Sequence, residues 1–555
     1  MTPAALMLDL LRDEGVDRVF GNPGTTELPL LRELAGTSDP SYVLALQEFS
    51  AVSAADGYAR GTGRPAFVSV HAVPGVSNAL IGLNNARRSR TPLVVTAGQQ
   101  DQRFLRDAPM LGGDLVGLAG PACLSAEEVH TPGDLLPLLR RAFARVRRQP
   151  SGPAFLSIPM NLLGGDGSSE GFPEGGPTLP GRIPVPDAGP ATTVDAAAEV
   201  LAAAERPAIL AGDRVGATRS VAELTAVAEA LGATVYPQPQ YEYVDADSEH
   251  PLTAPSPHFT GTEIAKALAG HDVLLVAGAA IRPHIWTAEA PIPDGMRVVQ
   301  LDDDPAELGR SYPVEVAMAG AIGPSLAALA SSLRPGTEAR RETVERRAGR
   351  TAEVLVAQRR AWRESARSGL SVAGPVDAAS AAQAVADALT PGSVVVEEAP
   401  TSGPALRRAL PQRDAGDYHN SSGNGGLGWG AGAAVGLALA QPHRPVLAFL
   451  GDGSAMFGVQ GLWTAARVGA PVTYVVVDNG GYRAVSDALP PGFAGTTLGG
   501  VDWAALAGSL GLHGTRVERG EEIGPAVAAA QRSGEPSLVV VPISAANETT
   551  GGGAS

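Results

Sequence analysis

The 555-residue sequence holds one cysteine, Cys123, and a single lysine, Lys266, among its 42 basic residues. One cysteine excludes an internal disulfide and any cysteine-rich metal or iron–sulfur site. The lysine lies in EIAKALAG rather than in a Gly-Lys-Ser/Thr turn, so a phosphate-binding P-loop is excluded. Schiff-base chemistry would have to use the same lysine, which reads as a polar helix position. Long apolar runs are missing too. VLLVAGAAI (Val273 to Ile281) has the length of a core strand and falls far short of a membrane span. The amino terminus, MTPAALMLDLLRDEG, lacks the basic, apolar and small-residue regions of a signal peptide, so a cytoplasmic protein is expected. A net charge of −16 argues against a nucleic-acid surface.

What is present is a globular composition, 44% hydrophobic with mean hydropathy near zero. The length exceeds one core and implies about two to four domains. Residues 1–163 alternate helix and strand, with strands read in RVFGNPG, SYVLALQE, PAFVSVHAV, PLVVTAGQQ and PAFLSIPMNLL. That alternation predicts a doubly wound parallel sheet. A Gly/Pro/Ser/acid-rich linker is expected over 164–190, then a second α/β block over 191–335 with strands RPAILAG, ATVYPQ, VLLVAGAAI and MRVVQLDDD. The Arg/Glu-rich stretch within 336–373 reads as a solvated connecting helix. A third block, 374–548, repeats the alternation, and 549–555 is expected to be a disordered tail. The fold class is therefore α/β, with three doubly wound parallel-sheet domains.

Two stretches carry chemistry. In LAFLGDGSAMFG a strand runs into Gly451, Asp452, Gly453 and Ser454 and then a helix, the arrangement that suits a phosphate group. Asp452 would repel a bare diphosphate, so a hard cation such as Mg²⁺ or Ca²⁺ must lie between them. Asn479, 27 residues later in VTYVVVDNGGY, offers a side-chain carbonyl to that cation, and Gly481 an exposed backbone. Alone, GDGS would also suit a tight turn with a capping Asp. The second stretch is VLALQEFSAVSAADGYAR. Residues 42–46 read as a buried strand and Phe49 to Arg60 as a helix, with Glu48 between them. A carboxylate in such apolar surroundings is costly unless paired. Its alternative role is to cap the helix.

GDG followed by that Asn resembles the diphosphate-anchoring motif of thiamine diphosphate (ThDP) enzymes. FGNPGTTELPLL, LALQEFSAVSAADGYA, VHAVPGVSNA, GGLGWG and NGGYRAV extend the resemblance over nearly the whole chain. They are similar to the 2-keto-acid decarboxylase and acetolactate synthase superfamily, and most of all to its benzoylformate decarboxylase branch. The resemblance implies a pyrimidine-binding domain, a central domain and a diphosphate-binding domain. It also implies a homo-oligomer, a dimer or a dimer of dimers, with active sites between subunits. Glu48 would face N1′ of the cofactor's aminopyrimidine. Gly425, Gly426 and Asn78 would lie near the cofactor, Leu427 would support its bent shape, and Tyr482 would join Gly451, Gly453 and Ser454 in binding it. His71 and His284 would form a proton-relay pair. Thr25 stands where the family pattern has a substrate-contacting serine, and Met110, Leu111, Ala484 and Ala488 look like pocket walls.

The activity so implied is non-oxidative decarboxylation of a small-molecule 2-keto acid to an aldehyde. The alternative is a carboligase of acetolactate synthase type. AAIRPHIW stands where FAD-bearing synthases carry an Arg-Phe-Asp-Asp-Arg segment, so no FAD is expected. A non-catalytic relative would have lost Glu48, Asp452 or Asn479, and all three are present. Neither a membrane nor a nucleic acid is an expected partner.

Overall fold

The computed structural model describes residues 2–164, 179–184, 189–281, 290–334, 337–371, 374–421, 425–490 and 493–544. Most of the expected linker, the whole expected tail and His284 lie outside the described residues.

Three parallel sheets form the frame. The first contains β1 (Arg18–Gly21), β2 (Ser41–Leu44), β3 (Ala66–His71), β4 (Leu93–Gln99), β5 (Ser125–Glu128) and β6 (Pro153–Pro159). The second contains β7 (Pro207–Ala211), β8 (Thr234–Pro237), β9 (Val273–Ala277), β10 (Arg297–Asp302) and β11 (Val316–Ala319). The third contains β12 (Val394–Glu398), β13 (Tyr418–Asn420), β14 (Val446–Gly451), β15 (Val472–Asp478), β16 (His513–Arg516) and β17 (Ser537–Pro542). The expected three parallel-sheet α/β domains are thus present. β4 and β6 are buried at every residue, because helices cover both faces of the sheet.

Some local readings need correction. The segment PAFLSIPMNLL leaves the strand at Pro159, and Met160–Leu163 form a helical turn. The strand before Glu48 ends at Leu44, not Leu46. Edge strands such as β5 (SAEE) and β16 (HGTR) have no buried face and carry no apolar run to betray them.

The first sheet runs β2-β1-β3-β4-β6-β5 and the third β13-β12-β14-β15-β17-β16, the same permutation. In each, the strand order reverses beside the first strand, between β1 and β3 or between β12 and β14. Such a reversal opens a crevice at the carboxyl ends of the strands, where ligands of open sheets bind.

The first and third domains meet through the Glu48–Thr62 and Trp429–Ala440 helices. Their facing residues are small for a steric reason. A methyl group on Gly57 would strike the Ala433 backbone, and one on Gly436 the Ala54 carbonyl. Arg60, on the first helix, binds Asp56 at 2.5 Å and the Asn420 carbonyl at 2.9 Å. Its guanidinium also lies over the rings of Tyr243 (4.9 Å) and Trp429 (4.7 Å), so one buried cation touches all three domains. The Glu338–Ser368 helix connects the second and third domains. Of its side chains only Val344 and Ala366 are buried, as a solvated connector requires.

Glu398, the last residue of β12, is buried beneath the Trp429–Ala440 helix. Its carboxylate accepts N–H groups from Gly428, Trp429 and Gly430 at 3.0–3.1 Å, taking up the otherwise unpaired donors of the first turn. Burial still pushes its pKa up to about 8. The folded value lies above the ordinary 4.5, so its contribution is complete at low pH and is lost as pH rises through about 8. Urea unfolding from about pH 5 to about pH 9 should show a decline in stability that Glu398→Gln lacks. Parallel profiles for the two proteins would contradict this placement.

Candidate active site

At the carboxyl end of the first sheet, Glu48 is the first residue of its helix and only 8% exposed. The capping role falls to its neighbour: Gln47 accepts the Ser50 N–H at 3.2 Å. Glu48 instead accepts from Asn78 Nδ2 at 2.9 Å. Gly75 lets the Ala72–Arg88 helix pack against β3, since a Cβ there would lie 3.2 Å from the Val70 carbonyl carbon.

His71 ends β3 and is followed by Ala72 at φ 46°, a strained left-handed conformation for alanine. Its Nδ1 lies 2.9 Å from Thr26 Oγ1 and 3.0 Å from Glu27 Oε2. Thr26 donates its hydroxyl proton to Glu27 Oε1 at 2.7 Å, and the Gly98 N–H donates to the same oxygen at 2.7 Å. With Thr26 and Glu27 both as acceptors, Nδ1 carries the proton and Nε2 is left for chemistry. Burial pushes the Glu27 pKa up, while Thr26, His71 and Gly98 pull against that shift. A side chain on Gly24 would overlap the His71 ring, and one on Gly98 the Glu27 carboxylate. Thr25 is exposed and stands outside this network. Its neighbours Thr26 and Glu27 were missed by the sequence reading. The signal that exposed Glu48, an acid just past a strand in apolar sequence, is missing at Glu27, which follows the polar stretch Asn22 to Thr26.

The third sheet supplies the other cluster. β14 delivers Gly451 and Asp452, and its neighbour β15 delivers Asn479, with Gly451 in register with Val477. Asp452 is 3% exposed, and its Oδ1 accepts the Gly453 N–H at 2.9 Å. Oδ2 is buried with no partner. Burial and the charge of Asp478 push Asp452 up to about 6, opposed by the Gly453 N–H and, without bonding to Oδ2, by the Gly480 and Gly481 N–H groups, which donate to Asp478 and Asn479. Asn479 Oδ1 accepts the Gly481 N–H at 3.1 Å and keeps a second lone pair. A Cβ on Gly453 would come within 2.9 Å of the Tyr482 ring, and Ser454 is buried one residue on. An orphaned buried carboxylate oxygen and an amide oxygen at the ends of neighbouring strands are donors of the kind a hard cation takes.

Leu427 lies half-buried in a turn with Gly425 at φ 71° and Gly428 at φ 99°. Three contacts hold that turn. Asn85 Nδ2 donates to the Gly426 carbonyl at 2.9 Å, Glu398 takes the Gly428 N–H, and the backbone at Phe457–Gly458 leaves no room for a side chain at 428. Met110 is 82% exposed, Leu111 adopts φ 70°, and Ala484 and Ala488 are exposed. Among the described residues no hydrogen bond or ion pair joins the Glu48–His71 cluster to the Asp452–Asn479 cluster.

Three family models match the chain: the thiamine pyrophosphate enzyme N-terminal TPP binding domain over residues 1–114, the central domain over 194–329 and the C-terminal TPP binding domain over 401–541. Benzoylformate decarboxylase of Pseudomonas aeruginosa is 31% identical over 96% of this chain and 97% of its own. The acetolactate synthase isozyme 2 large subunit of Escherichia coli is 26% identical over 98% of this chain and 96% of its own. Two solved structures are similar over almost their full length. The 4-hydroxybenzoylformate decarboxylase of Rhodococcus jostii has a TM-score of 0.85 at 28% identity, covering 98% of this chain and 99% of that one. Benzoylformate decarboxylase of Polynucleobacter necessarius has a TM-score of 0.86 at 28% identity, covering 99% of each. The chain is a ThDP-dependent enzyme and belongs to the thiamine pyrophosphate enzyme family.

Proposed function

We propose that this enzyme decarboxylates a 2-keto acid to an aldehyde, with ThDP and Mg²⁺ (or Ca²⁺) as cofactors. The observation that carries this reading is the His71–Glu27–Thr26 network, a fixed proton-transfer group at the same strand-end crevice as Glu48. When bound, ThDP supplies the electron sink that accepts the pair of the breaking C–C bond. The residues do the rest. Asp452, Asn479 and the Gly481 carbonyl hold the cation that carries the diphosphate, while Gly451, Gly453, Ser454 and Tyr482 line that end. Leu427, with Gly425, holds the middle of the cofactor. Glu48, oriented by Asn78, holds a proton at N1′. His71 delivers and removes protons through Nε2, with His284 proposed as its partner and Thr25 as a contact to the substrate carboxylate. As the family resemblance implies, we place the complete site between two subunits of a homo-oligomer, in the cytoplasm.

Carboligation is the second reading, favoured by the synthase among the relatives. Against a flavin-bearing synthase stands AAIRPHIW, which lacks the Arg-Phe-Asp-Asp-Arg segment such synthases carry at that place.

The test is aldehyde and CO₂ release from a panel of 2-keto acids after chelation and gel filtration. Activity should return only when ThDP and the cation are added together. His71→Ala should lower kcat by about 10²–10⁴-fold with little change in ThDP affinity. Glu27→Gln should lower kcat in the same direction and shift the pH–rate profile. If His71→Ala stays within about threefold of wild type, the decarboxylase role of this network is wrong and the carboligase reading leads.

Glu48→Gln keeps the shape but cannot hold the N1′ proton. Hydrogen–deuterium exchange at C2 of bound ThDP should slow by about 10²-fold or more, with binding much less affected. Exchange at the wild-type rate would remove Glu48 from the mechanism.

A further inference from the structure

Met110 and Leu111 lie in a loop, residues 108–114, between the Gln102–Asp107 3₁₀ turn and the Leu115–Ala119 helix. Two of its residues are left-handed without being glycine, Ala108 at φ 48° and Leu111 at φ 70°. Such backbone is sparsely populated and persists only where the surrounding contacts over-determine it. Within the loop itself the Gly112 N–H closes one turn onto the Pro109 carbonyl at 2.9 Å. The rest of the constraint comes from outside.

Among the described residues, two hydrogen bonds tie residues 108–113 to β4 and to the Ala72–Arg88 helix. The Val73 N–H donates to the Leu111 carbonyl at 3.3 Å, and Gln99 Nε2 donates to the Gly113 carbonyl at 2.7 Å. The second is much the shorter and therefore the stronger tie. Gln99 is the last residue of β4 and only 1% exposed. Its amide is engaged at both ends, because Oε1 accepts the Gln100 N–H at 2.9 Å. The Gly113 carbonyl also takes the Leu115 N–H at 3.1 Å, so Gln99 grips the loop where it enters the next helix. Packing adds to the tie: a Cβ on Gly113 would lie 2.7 Å from Val73 Cγ2.

The loop so held stands beside the proton-transfer network. β4 pairs with β3 so that Gly98 is opposite His71. Gly98 gives its N–H to Glu27, and the next residue, Gln99, gives its side chain to the loop. Val73, against which the loop leans, is two residues beyond His71 and on the helix that carries Asn78, the partner of Glu48. One strand end therefore fixes both the acid behind the histidine and the wall next to it.

We propose that Gln99 is a positioning residue for substrate selection: through the Gly113 carbonyl it holds Met110 and Leu111 at the distance from His71 that decides which 2-keto acids fit. The inference rests on the keto-acid reading above and adds a residue that acts through the loop. Two substitutions separate its bonds. Gln99→Glu keeps the size and the acceptor for the Gln100 N–H, but turns a carboxylate oxygen toward the Gly113 carbonyl. Gln99→Met keeps an unbranched side chain and makes neither bond. Both release the loop, the first by repulsion and the second by loss of the tie.

The test compares kcat/KM for CO₂ release from pyruvate, 3-methyl-2-oxobutanoate and benzoylformate by the enzyme loaded with ThDP and Mg²⁺. The ratio between the best and the worst of these acids should fall by about fivefold or more in Gln99→Glu, and by less in Gln99→Met, mainly through KM. Hydrogen–deuterium exchange at C2 of bound ThDP should keep the wild-type rate in both, which general damage to the site would not allow. In a Leu111→Ala background Gln99→Glu should change the ratio no further, since the wall it positions is gone. Amide hydrogen exchange over residues 108–114 reads the tie without turnover and should quicken in both variants. Gln99→Met keeps the test valid should Gln99→Glu fail to fold. Unchanged ratios in the folded variants, a full effect in the Leu111→Ala background, or unchanged amide exchange would overturn the proposal. A wild type that releases no CO₂ from any of the three acids contradicts the keto-acid reading instead, and the amide exchange then decides the Gln99 tie by itself.

Discussion

The constraint on which this structure turns is the cost of holding a carboxylate in the low-dielectric ends of a parallel sheet. Four acids occupy such positions, and each meets the cost differently. Glu398 is satisfied by three N–H groups of a helix start. Glu27 is satisfied by Gly98, Thr26 and His71. Glu48 has the Asn78 amide on one oxygen. Asp452 has Gly453 on Oδ1, and its Oδ2 is orphaned in the interior. An unsatisfied buried oxygen costs about 1–3 kcal/mol, more when charged. That cost is sustainable when a cation completes the site.

Two sheets of identical strand order create these positions twice, and the close packing of the Glu48–Thr62 and Trp429–Ala440 helices fixes one copy against the other. Glycine at 57 and 436 is required by backbone contact, and Arg60 locks the third domain's Asn420 and Trp429 to the first. The same packing brings Asn85 of the first domain onto the Leu427 turn of the third. The conformation of that turn therefore depends on a side chain of the other domain.

Much of this was legible in the sequence, for identifiable reasons. Buried inner strands such as VTYVVVD and VLAFLG are continuous apolar runs, and the spacing of Asp452 and Asn479 follows from one strand–helix–strand unit. Glu48 was visible because an acid interrupts apolar sequence. Glu27 gave no such signal, because it follows the polar stretch Asn22 to Thr26, where only packing distinguishes buried Thr26 from exposed Thr25. Glu398 was unreadable because Glu397 and Glu398 at the end of a strand look like a polar boundary. Only tertiary packing shows both to be buried, one against Arg407 and one under a helix. Edge strands carried no periodic signal, since their side chains face solvent.

The claim that Asp452 is held unpaired for a cation that carries the diphosphate can be tested by thermal unfolding of wild type and Asp452→Ala, each with and without ThDP and Mg²⁺. Removing the orphaned carboxylate should make the unliganded protein at least as stable as wild type. It should also abolish the rise in Tm that saturating ThDP and Mg²⁺ give the wild type, about 2.7 kcal/mol of stabilisation at a hundredfold excess over Kd. A variant that is destabilised when unliganded, yet is still stabilised by ThDP and Mg²⁺ as fully as the wild type, would contradict the account.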